Sequence, residues 1–207
     1  MIDKSFTENL MHESELLNQG YKCIAGVDEV GRGCFAGPVV VAAVIMEPGI
    51  RIPYLTDSKK IPKSKHNLIL QEVKKHIIAC NIAVVDAPTI DDINIRQATL
   101  KAMKLAVDGL KVNPDYILVD GSDLITNLDI PQKNVIQGDY YSHTISAASL
   151  IAKTYRDKLM AEYDESFGNK YEWEKNAGYP TLKHIELVKK HGLTPYHRRS
   201  WKTMEKI

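Results

Sequence analysis

A continuous apolar run in the first quarter of the chain constrains the fold more than any other feature of the sequence. Residues Pro38 to Met46 carry no charged or hydrogen-bonding side chain, and five of them are Val or Ile. β-branched residues favour strands, and an apolar strand without alternation is typical of a sheet covered on both faces. Gly37 precedes the run, and Pro48 and Gly49 follow it. We therefore predict a buried strand over this run.

Shorter apolar segments alternate with amphipathic ones along the first two thirds of the chain. The predicted strands are Cys23–Asp28, Pro38–Met46, Ala79–Val85, Tyr116–Val119 and Asn134–Ile136. The predicted helices are Phe6–Gln19, Pro62–Ile78, Thr89–Leu110, Ile145–Leu159 and Pro180–His191. Strands interleaved with helices, followed by helices alone, predict an α/β sheet with a helical C-terminal part from about residue 142, within one domain spanning residues 1–207.

The composition is that of a globular protein, with 44% hydrophobic and 26% charged residues, and it disfavours a disordered or collagen-like chain. The net charge of +1 hides an asymmetry along the chain. Residues 1–139 carry 15 basic and 18 acidic side chains, whereas residues 140–207 carry 12 and 8. Seven of the ten tyrosines also lie in the second part. This pattern weakly indicates a polyanionic partner, and a solvated helical surface is the alternative.

Cysteine usage and the N-terminal residues predict a reducing, intracellular setting. Cys23, Cys34 and Cys80 form no Cys-x-x-Cys pair, and no His-Glu-x-x-His motif occurs, so neither disulfides nor a zinc site is expected. The first twenty residues are polar and include four acidic ones, unlike a secretory signal. The longest apolar stretch, Val39–Met46, is too short to cross a bilayer. We predict a cytoplasmic protein with no membrane partner.

Acidic residues stand where three of the predicted strands end. Asp28 and Glu29 end the first strand, Asp120 ends the fourth, and Asp139 follows the fifth directly after a glycine. Ligands of open sheets bind beyond the carboxyl ends of strands, so these carboxylates could converge at one edge. Carboxylates select Mg²⁺ or Mn²⁺ over zinc, and two such ions about 4 Å apart promote in-line attack on a phosphodiester. For any single acid, a solvated strand end is the alternative.

Asp28 and Glu29 raise a geometric difficulty, because adjacent residues of a strand point to opposite faces of the sheet. Their carboxylates can share one site only if the strand breaks between them. Glycines at positions 31, 33 and 37 follow closely and permit the backbone conformations that such a break requires. We therefore expect the first strand to break between the two acids.

The same glycines surround Arg32 in a loop that has two interpretations. Glycine lets backbone amides approach a ligand closely, and the arginine supplies a planar cation for phosphate or for a base edge. A nucleotide-binding loop is the alternative, since Gly26 to Gly31 has the spacing of a P-loop, but Arg32-Gly33 replaces the required Lys-Ser/Thr. Such a loop would place two carboxylates beside phosphates, which is unfavourable without a metal. The nuclease interpretation is preferred.

A series of short motifs connects these acids and glycines with polar residues further along the chain. The motifs are Gly26-Val27-Asp28-Glu29-Val30-Gly31-Arg32-Gly33 with Ala36-Gly37-Pro38-Val39, Thr56-Asp57-Ser58-Lys59-Lys60, Val119-Asp120-Gly121, Gly138-Asp139 with Ile145 to Asp157, Gly178-Tyr179-Pro180-Thr181, and His191 to Ser200. In this order they resemble bacterial ribonuclease HII. The related ribonuclease HIII has a different residue in place of Arg32 and a long extra N-terminal domain, which favours ribonuclease HII.

The resemblance implies a ribonuclease H-like fold, in which a mixed five-stranded sheet is flanked by helices and followed by a helical C-terminal region. It implies an endonuclease that hydrolyses the RNA strand of RNA–DNA hybrids and cuts 5′ to ribonucleotides embedded in duplex DNA. The products carry 3′-hydroxyl and 5′-phosphate ends. Two divalent ions, Mn²⁺ or Mg²⁺, are implied in the active complex.

The resemblance also implies roles for single residues. The residues that match the family's catalytic, metal-binding carboxylates are Asp28, Glu29, Asp120 and Asp139. The loop residues that match those reading the ribose 2′-hydroxyl, the group that distinguishes RNA from DNA, are Gly31, Arg32 and Gly33. Tyr179 matches a tyrosine that packs on the sugar next to the junction, and a helix-entry tyrosine beside Pro180 is the alternative. Ser58 and Lys59 match a motif near the site and are expected to contact substrate.

Basic residues predict where nucleic acid lies. Six lysines occur within 17 residues, opposed by Glu72 alone: Lys59, Lys60, Lys63, Lys65, Lys74 and Lys75. A solvated helix face is the ordinary interpretation. If these lysines lie beside the predicted cluster of carboxylates, they would instead bind phosphates without sequence preference. The basic residues that could serve the same role in the C-terminal part are Lys153, Arg156, Arg198 and Arg199.

Partners follow from the same considerations. RNA–DNA hybrids and ribonucleotide-containing DNA duplexes are the expected substrates. No clamp-binding motif is visible after Trp201, and a monomer is expected because no association motif is seen. A non-catalytic module that binds hybrids through the basic C-terminal part is the alternative from another functional class.

Overall fold

The computed structural model describes residues 10–55 and 63–201. The predicted contacts of Ser58 and Lys59 and the tail after Trp201 lie outside the described residues. The strands within the described ranges form one sheet and are β1 (Ile24–Val30), β2 (Val39–Met46), β3 (Ile77–Val85), β4 (Tyr116–Asp120) and β5 (Gln132–Val135). The helices there are α1 (Met11–Asn18), α2 (Lys63–Lys75), α3 (Ala87–Asp108), α4 (Gly138–Tyr141), α5 (His143–Ser166), α6 (Trp173–Asn176) and α7 (Leu182–His191).

The sheet is mixed, with the strand order β3-β2-β1-β4-β5. β2 is antiparallel to both of its neighbours, β1 and β3, whereas β1, β4 and β5 are parallel to one another. Every residue of β2 is buried, which confirms the buried strand predicted from its unbroken apolar run. The parallel arrangement of β1, β4 and β5 brings their carboxyl ends to the same edge of the sheet.

Helices cover both faces of the sheet. On one face, Ala25 and Val27 of β1 pack in a cluster with Ile90 and Met103 of α3. On the other face, the β2 side chains that point away from α3 pack against the small residues of α5. Gly26 allows the closest approach, because a Cβ there would overlap the backbone at Thr144. This arrangement is the five-stranded, helix-flanked fold that the resemblance implies, so the predicted fold class is confirmed.

Several element boundaries differ from the predicted ones by a few residues. β5 is Gln132–Val135 and not Asn134–Ile136, because its alternating polar residues pair with β4 although they give no apolar signal. α3 begins at Ala87, where the Asp86 carboxylate accepts the Thr89 amide as an N-cap. Its loose periodicity reflects a kink at Asn94, whose φ of 65° is not helical.

The C-terminal part is helical, as predicted, and it packs back on the start of the chain. α5 begins at His143 behind the N-cap Ser142. Trp173, on α6, lies fully buried in an apolar cluster that includes Ala36. Ala36 also forms an isolated antiparallel bridge with His197. No helix among the described residues is long and apolar enough to cross a membrane.

Candidate active site

The first two acids lie on an unbroken strand. β1 continues through Asp28 and Glu29, which pair with Ala42 and Val41 of β2, so the predicted break between them is wrong. Asp28 shares the face of Gly26, against α5, and Glu29 lies on the opposite face. β1 pairs with β4 only as far as Val27. Glu29 is therefore beside a free strand edge, and the Asp120 charge acts on both acids without any break.

Asp120 and Asp139 are brought together by a glycine. The Gly138 amide donates to Asp120 Oδ1 at 2.7 Å, and a Cβ on Gly138 would stand 2.6 Å from Ile145 Cδ1 and 3.1 Å from that oxygen. Asp139 follows directly in the first turn of α4, and its carbonyl accepts from Ser146 Oγ at 2.7 Å. The Asp120 carboxylate at the end of β4 is therefore hydrogen-bonded to the residue that directly precedes Asp139, at the start of α4.

Burial and mutual repulsion oppose ionisation of the β1 acids. Burial raises the pKa of Asp28 well above its ordinary value, and the charges of Asp120 and Glu29 raise it further. Burial also raises the pKa of Glu29, an effect that the Arg32 guanidinium opposes and Asp120 reinforces. Carboxylates whose pKa is raised in this way gain most from a cation placed between them.

The donor set fits a divalent metal ion. Glu29 Oε1 accepts from Arg32 Nη1 at 3.2 Å, while Glu29 Oε2 is buried and has no hydrogen-bond partner in the described part of the chain. Within residues 10–55 and 63–201, no group of three or more Asp, Glu, His or Cys side chains is placed to hold a metal ion by itself. Mg²⁺ commonly binds through one or two carboxylates and keeps water and substrate phosphate as its other ligands. An open set of carboxylates with an unsatisfied buried oxygen suits that mode.

The glycine loop, residues 31–37, follows the acids directly. Gly31 has φ +95°, and a Cβ there would stand 2.7 Å from Pro38 O and overlap the Arg156 side chain. Gly37 has φ +84° and is closed in by Met160. Gly33 differs from both, because it is exposed and its Cβ would meet nothing closer than a ring carbon of Tyr179 at 3.9 Å. Two of these glycines are therefore required by the fold, and Gly33 is not.

Tyr179 lies beside the glycine loop although it is far away in sequence. The residue is 41% exposed, and its ring stands next to Gly33. Its carbonyl accepts from His184 Nδ1 at 2.9 Å, because Trp173 Nε1 donates to His184 Nε2 and so fixes the proton on Nδ1. The structure thus brings Tyr179 and Gly33 together at the surface, next to the acids of β1.

The prediction that Arg156 and Arg198 contact phosphate is wrong. Both side chains are fully buried, and their guanidinium groups donate to backbone carbonyls of the protein itself. Lys153 is ion-paired with Asp157 at 3.1 Å on the same helix, and Arg199 is exposed. Sequence alone gives a buried arginine the same signature as a phosphate-binding one, since both lie in basic motifs.

Sequence reasoning also missed the residues that support the site from behind. Gly178, with φ +76°, accepts from the Phe35 and Ala36 amides through its carbonyl, and a Cβ there would overlap the Ala36 carbonyl. Glu13 binds Ser142 and Thr144 at the start of α5. A glycine next to Tyr179 is a visible signal for the Gly178 contact. Nothing near Glu13 in the sequence indicates its contact with α5.

Solved structures resemble this fold over most of its length. Ribonuclease H2 from Pyrococcus horikoshii OT3 is 24% identical with a TM-score of 0.75, and the match covers 88% of this chain and 95% of that one. Ribonuclease HII from Archaeoglobus fulgidus, solved in complex with PCNA, is 24% identical with a TM-score of 0.73 over 87% and 95%. Bst-RNase HIII, solved with Mn²⁺, is 16% identical with a TM-score of 0.70 over 96% and 72%.

A family model gives the more specific result. The model described as ribonuclease HII matches residues 25–204, which include all four acids, the glycine loop and Tyr179. The match begins within β1 and extends past Arg198 to the C-terminal residues, so it covers most of the chain. The chain therefore belongs to the ribonuclease HII family, a family of ribonucleases H that act on RNA–DNA hybrids.

Proposed function

We propose that this protein cuts the RNA strand of RNA–DNA hybrids and also cuts DNA duplexes 5′ to single embedded ribonucleotides, leaving 3′-hydroxyl and 5′-phosphate ends. The proposed catalytic, metal-binding residues are Asp28, Glu29, Asp120 and Asp139. The observation that carries the proposal is the meeting of three mutually repelling carboxylates, those of Asp28, Glu29 and Asp120, with an exposed loop and tyrosine that can contact a ribose.

The four carboxylates would hold two divalent ions, Mn²⁺ or Mg²⁺. Bound there, the ions supply an activated water and stabilise the leaving oxygen of the phosphodiester. Asp28, as the most buried of these four acids, contributes a carboxylate that water screens little. The second oxygen of Glu29 has no competing partner in the described part of the chain. The Gly138 amide holds Asp120 in one orientation through its 2.7 Å bond.

The glycine loop and Tyr179 would recognise the ribonucleotide. Absence of a side chain at Gly33 leaves room for a sugar to approach the loop backbone, and the 2′-hydroxyl can both donate and accept there. The exposed part of the Tyr179 ring offers a flat surface for the adjoining sugar. Arg32, which is exposed apart from its bond to Glu29, can contact the neighbouring phosphate.

One assay tests the reaction against the alternatives. A labelled DNA duplex with one embedded ribonucleotide is incubated with the protein and Mn²⁺ or Mg²⁺, beside an all-DNA duplex of the same sequence and an RNA–DNA hybrid. The expected result is a metal-dependent nick 5′ to the ribonucleotide, hybrid cleavage, and no cut in the all-DNA duplex. Cleavage of the hybrid alone would remove the embedded-ribonucleotide activity from the proposal, and retention without any nick would support a binding module.

Asp120→Asn tests the metal-binding assignment in the same assay. Asparagine keeps an oxygen that can accept the Gly138 amide, so the fold should survive, but it removes one ligand charge. The rate should fall on the order of 10²-fold or more, since a metal contact is worth several kcal/mol in the transition state. Cleavage at the wild-type rate would show that the site lies elsewhere, and an unchanged circular dichroism spectrum and Tm would establish that the variant is folded.

A further inference from the structure

Arg198 is a buried residue whose hydrogen bonds, within the described residues, do not involve the four acids of the site. Its side chain is 0% exposed, and within the described residues its guanidinium makes hydrogen bonds only to carbonyl oxygens of the glycine loop. Nε and Nη2 donate to Gly37 at 2.9 and 2.8 Å, Nη1 donates to Arg32 at 2.9 Å, and Nη2 donates to Gly31 at 2.6 Å. One planar group near the C-terminal end of the described chain therefore holds both ends of the loop.

These contacts fix the direction of the loop amides. In a trans peptide, the carbonyl of one residue and the amide of the next point in opposite directions, and the described residues contain no cis peptide. Since the carbonyls of Gly31 and Arg32 point inward to Arg198, the amides of Arg32 and Gly33 point away from it. Both residues are exposed, so the two amides face outward beside the acids.

The amides of the last four loop residues, 34–37, are already used. Cys34 donates to Gly31, Phe35 and Ala36 donate to Gly178, and Gly37 donates to Tyr196. Within the described part of the chain, the amides of Arg32 and Gly33 make no hydrogen bond. They are donors presented on a rigid turn without a protein acceptor, next to the Tyr179 ring. A ribose 2′-hydroxyl is an acceptor that such a pair can bind.

We propose that Arg198 is a positioning residue for ribose recognition, because it holds the loop carbonyls inward and thereby presents the Arg32 and Gly33 amides to the 2′-hydroxyl. This inference rests on the proposed function and extends it to a residue that substrate does not touch. Burial lowers the pKa of Arg198 to about 10, so the group stays charged at neutral pH, and its bonds are of the charge-assisted kind.

Lysine cannot replace this contact. Arginine presents donors along a planar fork, which spans the three carbonyls, whereas lysine has donors on one nitrogen only. Arg198→Lys preserves the charge but should let the peptide groups at positions 31–33 rotate, so that the outward amides lose their fixed direction. We expect KM for the ribonucleotide-containing duplex to rise about tenfold, the effect of losing roughly 1.4 kcal/mol of binding energy.

Asp91 offers a milder variant that leaves the buried guanidinium in place. Its carboxylate, on α3, accepts the Arg199 and Ser200 amides at 2.8 and 3.0 Å and the Ser200 hydroxyl at 2.6 Å. Asp91→Ala should loosen the segment that carries Arg198 from the outside. KM should rise in the same direction, about threefold, the loss expected for weakening one hydrogen bond. This variant tests the proposal even if Arg198→Lys fails to fold.

Steady-state kinetics on two duplexes separate positioning from stability. KM and kcat are measured with the single-ribonucleotide duplex, and the all-DNA duplex of the same sequence serves as a competitive inhibitor. The proposal predicts a raised KM with an unchanged Ki for the all-DNA duplex, since only the ribose contact is lost. Val107→Ala, a buried change in the α3 cluster away from the loop, is the matched control: it should lower stability and leave KM and Ki unchanged.

Each outcome decides the matter. If Arg198→Lys and Asp91→Ala keep the wild-type KM and only reduce the fraction of folded, active enzyme, as the control does, the arginine is merely structural and the proposal is wrong. A rise of KM and Ki together would also overturn it, since general duplex binding would then be affected. If the wild-type protein does not cut the single-ribonucleotide duplex, the proposed function fails first, and that result is distinguishable from either of these.

Discussion

At the residue scale, the glycines of the loop differ in what they do for the protein. Gly31 combines a positive φ with a crowded surrounding, so the fold itself requires a residue without a side chain there. Gly33 has neither constraint, yet it lies at the surface beside Tyr179. The natural explanation for a glycine in an uncrowded, unstrained position is the space it leaves for a ligand.

The two glycines therefore predict opposite phenotypes. Gly31→Ala should destabilise the fold by about 2 kcal/mol or more, because the methyl group meets Pro38 O and Arg156 and the backbone is strained. Gly33→Ala should leave Tm within about 2 °C of wild type, as for a surface substitution, and should raise KM for the single-ribonucleotide duplex. Thermal unfolding and steady-state kinetics measure both. A destabilised Gly33→Ala variant with normal KM would contradict this assignment.

Asp28 illustrates a cost of function at the same scale. Its raised pKa means that the folded protein binds a proton more tightly than the unfolded chain, so its contribution to stability is fully present below the ordinary carboxyl pKa. That contribution is lost as the pH rises through the raised value. At neutral pH, Asp28 therefore lowers the free energy of unfolding of the metal-free protein, because the unfolded chain ionises this carboxyl more easily than the folded one.

Asp28→Asn should remove this cost. The metal-free variant should unfold about 2–4 °C above the metal-free wild type at pH 7, the shift that about 1 kcal/mol gives in a chain of this size, and the gain should vanish at acidic pH. Thermal unfolding across pH in the presence of a chelator measures it. Asp115→Asn is the control, since Asp115 lies outside the site and accepts the Lys22 and Cys23 amides. A gain in Tm for Asp28→Asn that stays constant down to acidic pH would refute the explanation.

From the sequence, the candidate acids could be located at strand ends, but the residues that hold the loop could not be found. Acids at the ends of parallel strands are visible because topology brings those ends together whatever the packing. The role of Arg198 depends on which carbonyls of residues 31–37 turn inward, and neither charge nor spacing records this. The geometry of Glu29 was also mispredicted, because the early end of the β1–β4 pairing, at Val27, is a property of the assembled sheet.

At the scale of elements, α1 is joined to α5 by one buried carboxylate. Glu13 is 5% exposed, and its Oε1 accepts from Ser142 Oγ, Thr144 Oγ1 and the Thr144 amide at 2.6, 2.9 and 2.9 Å. The start of α5 carries unsatisfied amides and a partial positive charge, which a carboxylate stabilises. Asp139 lies in the turn just before this helix, so α1 supports one of the proposed metal ligands from behind.

Removal of this carboxylate should be costly. Glu13→Ala leaves buried hydroxyl and amide donors without acceptors, and we expect the free energy of unfolding to fall by about 2–3 kcal/mol. Glu15→Ala on the same helix is the matched control, since Glu15 is exposed and reaches Lys133 only at 3.9 Å; it should cost under about 0.5 kcal/mol. Urea denaturation measures both. Equal effects would show that α1 contributes only helix propensity.

Elements were predictable where their apolar pattern is strong and uncertain where pairing replaces it. β2 matches the prediction to within one residue because all of its side chains are buried. β5 was misplaced by two residues because polar side chains dominate it and only its register with β4 defines it. α3 was predicted two residues too late at each end, and its kink at Asn94 is not indicated by the apolar pattern.

At the scale of the whole molecule, the acidic first part of the chain and its basic last part differ in where their charged side chains lie. The acids of the first part include the repelling carboxylates of the site. The basic excess of the last part is smaller at the surface than the sequence indicates, because Arg156 and Arg198 are fully buried. Under the proposed function, we expect duplex binding to depend on exposed basic residues, such as Arg199 and Lys158, and on the loop.

Metal binding should stabilise the whole fold by relieving the repulsion at the site. At a Mn²⁺ concentration about 100 times its Kd, linkage gives roughly 2.7 kcal/mol, or about 5–10 °C in Tm for a chain of this length. Differential scanning fluorimetry with Mn²⁺, compared with NaCl at the same ionic strength, measures this effect. Asp120→Asn should show a much smaller rise, and an equal rise in that variant would mean that the ion binds elsewhere.

The isolated bridge between Ala36 and His197, and Arg198 beside it, has a consequence for how the protein is made. During synthesis, β1 and the glycine loop leave the ribosome long before residues 194–201 exist, so a partly made chain can assemble much of the sheet while the loop still lacks its arginine. A fragment that ends before Thr194, from premature termination or proteolysis, would keep the carboxylates without the oriented amides. Under the proposed function, activity toward ribonucleotides would therefore require that synthesis has passed Arg198.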